Sequence, residues 1–114
     1  MDKFRPESFL PLTPVAFEIL LALADGERHG YAITQEIANR TSTPIRVEPG
    51  NLYRFLRELL DSKLVEETDR LDGQERRRYY RLTTLGRKVA AAETTRLTEL
   101  VAEARSKKWL RGRT

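Results

Sequence analysis

The sequence predicts a mostly helical α+β fold: three short helices, one small β-hairpin and a long closing helix. Three observations carry that prediction. Apolar residues cluster or recur with helical spacing in four stretches, each opened or closed by a proline, a glycine or a capping hydroxyl. Asp72-Gly73 is a strong hairpin turn between two strand-like runs. The third helix opens on Pro49-Gly50-Asn51 and carries arginines on its outer face, shortly before the basic run Arg76-Arg77-Arg78-Tyr79-Tyr80-Arg81. A helix able to enter a groove, beside a hairpin able to grip phosphate, is the equipment of a winged helix-turn-helix.

The elements follow in order. Residues 1–12 hold two prolines and scattered apolar groups, so they are expected as an arm without regular structure. Thr13-Pro14 is a helix start, because threonine caps and proline is tolerated at the first helical position. Val15 to Ala24 is nearly all apolar and is closed by Asp25-Gly26. A helix apolar on most sides is buried on more than one side, so it faces both its own domain and something else. His29-Gly30 restarts the chain into a second helix, Tyr31–Arg40, with Ile33 and Ile37 turned inward. After the break Thr41-Ser42-Thr43-Pro44, residues 45–47 suit a short extended piece.

The third helix runs from Pro49 to about Ser62, with Leu52, Phe55, Leu56, Leu59 and Leu60 on one face. Gly50, Arg54, Arg57 and Asp61 lie opposite, with Tyr53 on the border. Leu64–Thr68 and Arg78–Leu82 flank the hairpin turn. Thr83 or Thr84 then caps a helix reaching about Lys108, roughly 37 Å long at 1.5 Å per residue. Its stripe of Leu85, Val89, Ala92, Leu97, Leu100, Val101 and Ala104 is longer than a three-helix head can cover, and a second copy of the chain is the economical partner. The domain plan is an arm (1–12), the winged head (13–83), a dimerisation helix (84–109) and a basic tail (110–114).

Composition narrows the function. A chain of 114 residues with 39% hydrophobic and 33% charged residues fits one folded domain. No apolar run approaches a membrane span, and Met1–Pro6 lacks a secretory core. Zero cysteines remove disulfides and thiolate metal sites and fit a cytoplasmic setting. The net charge of +4 is concentrated in residues 82–114, which carry 8 basic and 3 acidic groups. His29, the single histidine, has no cysteine for zinc and no carboxylate orienter for nucleophilic catalysis, and reads as a turn residue packed near the first helix. No cofactor, metal or enzymatic activity is expected.

The residues suited to DNA are specific. Gly50 and Asn51 keep the front of the third helix slim enough for a major groove. Arg54 and Arg57 reach guanine or phosphate, Asn51 suits adenine, and Tyr53 suits a phosphate oxygen. Across residues 70–81 the hairpin sets five arginines (Arg70, Arg76, Arg77, Arg78 and Arg81) against Asp72 and Glu75. Strand alternation sends Arg76 and Arg78 to one face and Arg77 and Arg81 to the other.

Three segments, His29-Gly30-Tyr31, Gly50-Asn51-Leu52-Tyr53-Arg54-Phe55-Leu56 and Arg78-Tyr79-Tyr80-Arg81-Leu82-Thr83-Thr84-Leu85-Gly86, resemble the PadR family of bacterial transcriptional regulators. The resemblance covers about residues 13–90 and its length fits the short subgroup with a single C-terminal helix. It implies a cytoplasmic homodimer reading a palindromic operator in double-stranded DNA, usually as a repressor of detoxification, efflux or stress genes. It also implies dimerisation through the C-terminal helix and the first helix, which assigns Phe17, Leu20, Leu21, Val89, Leu97, Leu100, Val101 and Ala104 to the interface. Release from DNA by a planar aromatic effector is a further implication, with Trp109 as a candidate pocket residue because its indole stacks on flat ligands. Carried over position by position, Tyr31 approaches a phosphate, Gly50, Asn51, Tyr53 and Arg54 front the recognition helix, and Arg76, Arg77 and Arg78 lie in the wing. Two residues depart from the family pattern. Lys63 replaces a usual glycine, so the left-handed helix cap is not expected, and Phe55 replaces a small residue, which shifts helix packing. The rival reading is a protein–protein adaptor on the same fold, supported by the near balance of 13 basic and 14 acidic groups in residues 1–81.

Overall fold

The computed structural model describes residues 5–40 and 47–109. Thr13 opens the first helix, α1 (Pro14–Ala22), its hydroxyl accepting from the N–H of Ala16 at 3.1 Å. A two-residue strand, β1 (Arg28–His29), leads into α2 (Gly30–Arg40). Then come α3 (Pro49–Asp61), the strands β2 (Val65–Asp72) and β3 (Glu75–Leu82), and α4 (Thr84–Ser106). The sheet is antiparallel in the order β1-β3-β2. Gly73, at φ 70°, supplies the left-handed conformation that the β2–β3 turn needs.

One core joins all the helices to the base of the hairpin. It is built from Ile19, Leu20 and Leu23, from Ile33 and Ile37, and from Leu52, Leu56 and Leu59. Leu64, Val65, Tyr80 and Leu82 close it beneath the wing, and Val89 closes it from α4. Val65 and Leu82 are cross-strand partners, so the sheet face that buries them also carries Tyr80, Arg78, Arg76 and Leu71. Opposite lie Arg70, Arg77, Tyr79 and Arg81, which fits the alternation expected from sequence.

Several expectations are corrected. The arm is not irregular throughout: Pro6–Phe9 forms a 3-10 turn, because Phe9, Leu10 and Leu12 find apolar cover on the core. His29 is a strand residue paired with Tyr79 rather than a turn residue. Both hairpin strands are longer than expected, since backbone pairing continues where side chains are exposed on both faces. Lys63 does take the left-handed conformation, at φ 68°. Bonds from Leu64 N–H to Leu59 O and from Lys63 N–H to Leu60 O complete a Schellman cap that was expected to be missing. The extended piece expected at residues 45–47 falls at 45 and 46 outside the described residues, as does the tail at 110–114.

Candidate nucleic-acid interface

The site is assembled from the starts of two helices and the arginine-bearing hairpin. Pro49 occupies the first turn of α3, and the first helical bond runs from Leu52 N–H to Glu48 O at 2.8 Å. The N–H groups of Gly50 and Asn51 precede that bond and have no acceptor within the helix. The Glu48 side chain does not cap them. A β-carbon at Gly50 would meet nothing within 4 Å, so the chain's own packing does not require glycine there. The absent β-carbon leaves the backbone at the front of α3 open to close approach from outside the chain.

Gly50, Asn51, Tyr53, Arg54 and Arg57 are all exposed on the outward face of α3. Arg54 lies 3.6 Å from Glu58 one turn later, and its guanidinium covers the Phe55 ring at 4.6 Å. Behind them Leu52, Leu56 and Leu59 fix the helix in the core. Gly30 lets α2 cross α3 closely: a β-carbon at Gly30 would stand 2.8 Å from the Tyr53 hydroxyl oxygen.

Two adjoining grooves run between these helices and the wing. The first, of about 280 Å3, is lined by His29, Gly30, Tyr31, Tyr53, Arg77 and Arg78. The second, of about 400 Å3, is lined by Tyr53, Asp69, Arg76, Arg77, Arg78 and Tyr80. The structure therefore brings together Tyr31, Tyr53, Arg76, Arg77 and Arg78. Gly50, Asn51, Arg54 and Arg57 lie outside both grooves on the open face of α3. His29 is a lining residue that site-directed sequence reasoning passed over. Tyr80 is buried in the floor, and that burial, with a smaller contribution from the Glu67 carboxylate, pushes its phenol above the ordinary tyrosine range.

The electrostatics of the hairpin also differ from expectation. The expected count covers only residues 70–81, whereas β2 runs Val65–Asp72 and brings Glu66, Glu67 and Asp69 into the hairpin. Five arginines between residues 65 and 82 then face five carboxylates, and the expected positive surplus vanishes. Most of these charges are paired. Arg78 stands 3.3 Å from Glu67 and 4.0 Å from Asp69, and Arg81 bonds Glu66 at 2.7 Å. Arg77 lies 3.5 Å from Asp72, and Arg70 pairs with Glu27 while its guanidinium covers the Tyr79 ring. Arg76 has no ion-pair partner among the described residues.

The residues assigned to chain association divide. Leu20 and Val89 are fully buried in the protomer's own core, so that assignment is corrected: α1 and α4 each turn one side inward, and these residues are on it. Leu21, Leu100 and Val101 are exposed, and Phe17, Leu97 and Ala104 are half-buried. Phe17, Leu97 and Val101 line an open apolar groove of about 500 Å3 between α1 and α4. Trp109, 78% exposed beyond the end of α4, does not line that groove. No helix among the described residues is long and apolar enough to cross a membrane, and no metal-binding cluster occurs among them.

Comparison with known proteins agrees with this fold. Residues 19–92 match the family described as the transcriptional regulator PadR-like family. The transcriptional regulator Rv3488 of Mycobacterium tuberculosis is 40% identical over 90 residues, covering 78% of this chain and 80% of that protein. An uncharacterized protein of Lysinibacillus sphaericus is 37% identical over 71 residues, covering 60% of this chain, and the match spans just under two thirds (64%) of that relative. A transcriptional regulator from Clostridium thermocellum superposes with a TM-score of 0.71 at 25% identity, covering 85% and 93% of the two chains. Bacillus subtilis PadR in complex with operator DNA superposes at 0.64 with 22% identity, covering 70% of this chain and 47% of that one.

Proposed function

We propose that this chain, which belongs to the PadR-like family of transcriptional regulators, acts by sequence-specific binding of double-stranded DNA. The observation that carries the reading is the convergence of Tyr31, Tyr53, Arg77 and Arg78 beside the open face of α3. In that arrangement α3 enters a major groove with Asn51, Arg54 and Arg57 toward base edges. Tyr31, Tyr53 and the wing arginines Arg76, Arg77 and Arg78 then meet the backbone on either side. The structure of Bacillus subtilis PadR with operator DNA supports the same use of the fold.

The working unit of this proposal is a homodimer on a palindromic operator. The apolar α1–α4 groove, continued by exposed Leu21 and Leu100, supports pairing of two copies. The regulator is a ligand-responsive repressor of detoxification, efflux or stress genes, and a planar aromatic compound bound between the copies releases it. Trp109, outside the α1–α4 groove but exposed beyond the end of α4, is the residue proposed to stack on that effector.

A gel shift with the promoter region of its own operon, at two salt concentrations, tests the reading. Binding should weaken as salt rises, by about 0.9 in log–log slope per phosphate neutralised. Absence of any sequence preference across genomic fragments overturns it. One observation favours a second reading, a protein–protein adaptor: the wing's arginines and carboxylates balance, so its charge alone does not select DNA. A stable protein partner with no retarded duplex is the outcome that reading expects.

A further inference from the structure

The groove that joins α2, α3 and the wing contains a conflict between hydrogen-bond donors. His29 Nδ1 accepts from the Ala32 N–H at 3.2 Å. A neutral imidazole that accepts at Nδ1 carries its proton on Nε2, a tautomer inferred here from the hydrogen-bond network. That Nε2 stands 3.0 Å from Arg77 Nη1, a group that only donates. Placing the proton on Nδ1 instead merely transfers the conflict to the Ala32 N–H.

The rest of the lining is donor-rich too. Tyr31 Oη accepts from Gln35 Nε2 at 2.7 Å, which leaves its own proton to give. The Tyr53 hydroxyl has no partner among the described residues and faces the same groove. Asp72 lies on the Nε side of Arg77, at 3.5 Å, and so holds the guanidinium with Nη1 toward His29. Glu67 and Asp69 hold the neighbouring Arg78. The Tyr79 ring stands edge-on to the imidazole at 5.4 Å and fixes its tilt.

We propose that this groove seats a phosphate group of the bound duplex, one oxygen of which accepts from both His29 Nε2 and Arg77 Nη1. An anionic oxygen is the acceptor that this pair lacks, and charge-assisted bonds of this kind are the strong ones. Tyr31 and Tyr53 direct their hydroxyls at the same phosphate. His29 thereby becomes a DNA-contacting residue, and its bond to Ala32 sets the direction of its donor. The inference rests on the duplex-binding reading and adds this contact to it.

His29→Asn separates the two jobs of the side chain. Asparagine is a good helix cap for the Ala32 N–H but is too short to reach Arg77. The variant should keep its melting temperature and lose about tenfold in operator affinity per half-site, about a hundredfold for the dimer, the order expected for one hydrogen bond to a charged group at each half-site. Its salt slope should stay unchanged, whereas Arg77→Ala lowers the slope by about 0.9 per half-site, about 1.8 for the dimer. Adding His29→Asn to Arg77→Ala should cost less than it does alone, because the two share one oxygen. Unchanged affinity in His29→Asn, with wild type and Arg54→Ala still separable on the operator, overturns the proposal and leaves the duplex-binding reading standing. Wild type that retards no duplex at all sinks that reading and this one together. Titration with inorganic phosphate checks the other source of the same chemistry: if it perturbs the His29 ring while His29→Asn binds operator normally, the seat belongs to a free anion and the proposal fails.

Discussion

The carbonyl oxygen of Leu64 occupies the space that a β-carbon on Gly86 would need. The same oxygen accepts from the N–H of Thr83 at 3.1 Å, and the Thr83 hydroxyl donates to the carbonyl of Lys63 at 2.7 Å. Thr83 also caps α4, accepting from the N–H of Gly86 at 2.9 Å. The end of α3 and the start of α4 are thus joined by backbone atoms that neither helix can move alone.

Gly86→Ala should therefore destabilise the fold by roughly 3 kcal/mol or more, since the clash is with backbone and no rotamer relieves it. Chemical denaturation measures this directly. A loss below about 1 kcal/mol would mean that α4 slides away without cost and that the junction is not rigid.

On the other side of that junction, Lys63 holds a left-handed backbone that favours glycine. Lys63→Gly should stabilise the protein by about 1 kcal/mol, and Lys63→Val should destabilise it by at least as much. Thermal unfolding should move in opposite directions for the two variants, with no change in operator affinity, because Lys63 is remote from the grooves between α3 and the wing.

Glu93 is 1% exposed and accepts twice from Arg96, at 2.6 and 2.8 Å, and once from the Leu12 N–H at 3.1 Å. The Arg96 bonds hold its carboxyl below the ordinary glutamate value, against burial and with help from Leu12. Its pKa is lowered on folding, so its contribution is complete above the unfolded value and is lost as pH falls through the folded one. Glu93→Ala leaves the Leu12 N–H without its acceptor and should cost roughly 1–3 kcal/mol at pH 7. The gap from wild type should shrink as pH falls below the usual carboxylate range; a constant gap down to pH 3 would remove the ionic explanation.

The α1–α4 groove predicts a clean division between association and folding. Leu100→Glu combined with Val101→Glu should halve the solution mass to about 13.2 kDa while preserving helical content. Val89→Ala should leave the mass alone and cost roughly 2 kcal/mol, because Val89 is core. Light scattering and denaturation together decide the matter, and a double variant that still runs as a dimer places the interface elsewhere.

These features differ in how far the sequence discloses them. The face of α3 is legible because Leu52, Leu56 and Leu59 recur at helical spacing and leave Arg54 and Arg57 outside. In the nearly all-apolar α1 the period carries little signal, so Leu20 and Leu21 look alike until α2 and α4 pack on one side. The two-residue β1 has no period at all and exists only because β3 offers it an edge. Glu66 and Glu67 fall in the expected strand and Asp69 just beyond it, but only the full pairing with β3 shows that all three sit in the wing and cancel its charge. Lys63 is held in its unfavoured conformation by the Schellman bonds and by Thr83, none of which local propensity foresees.

Arg78 shares its sheet face with Arg76 and looks toward α3, but Glu67 and Asp69 share the same face and hold it. To meet a phosphate, Arg78 exchanges these carboxylates for DNA, and two acidic groups approach the duplex with it. Their repulsion would fall on every sequence alike, whereas the base contacts proposed for Asn51, Arg54 and Arg57 would discriminate between sequences. Glu67→Gln with Asp69→Asn should raise affinity for arbitrary duplex several-fold at low salt, with a smaller gain on the operator. The sequence-specificity ratio therefore falls. Both gains should fade as salt rises, because they are electrostatic. Equal affinity of variant and wild type for random duplex at low salt would mean that the wing stays clear of the backbone.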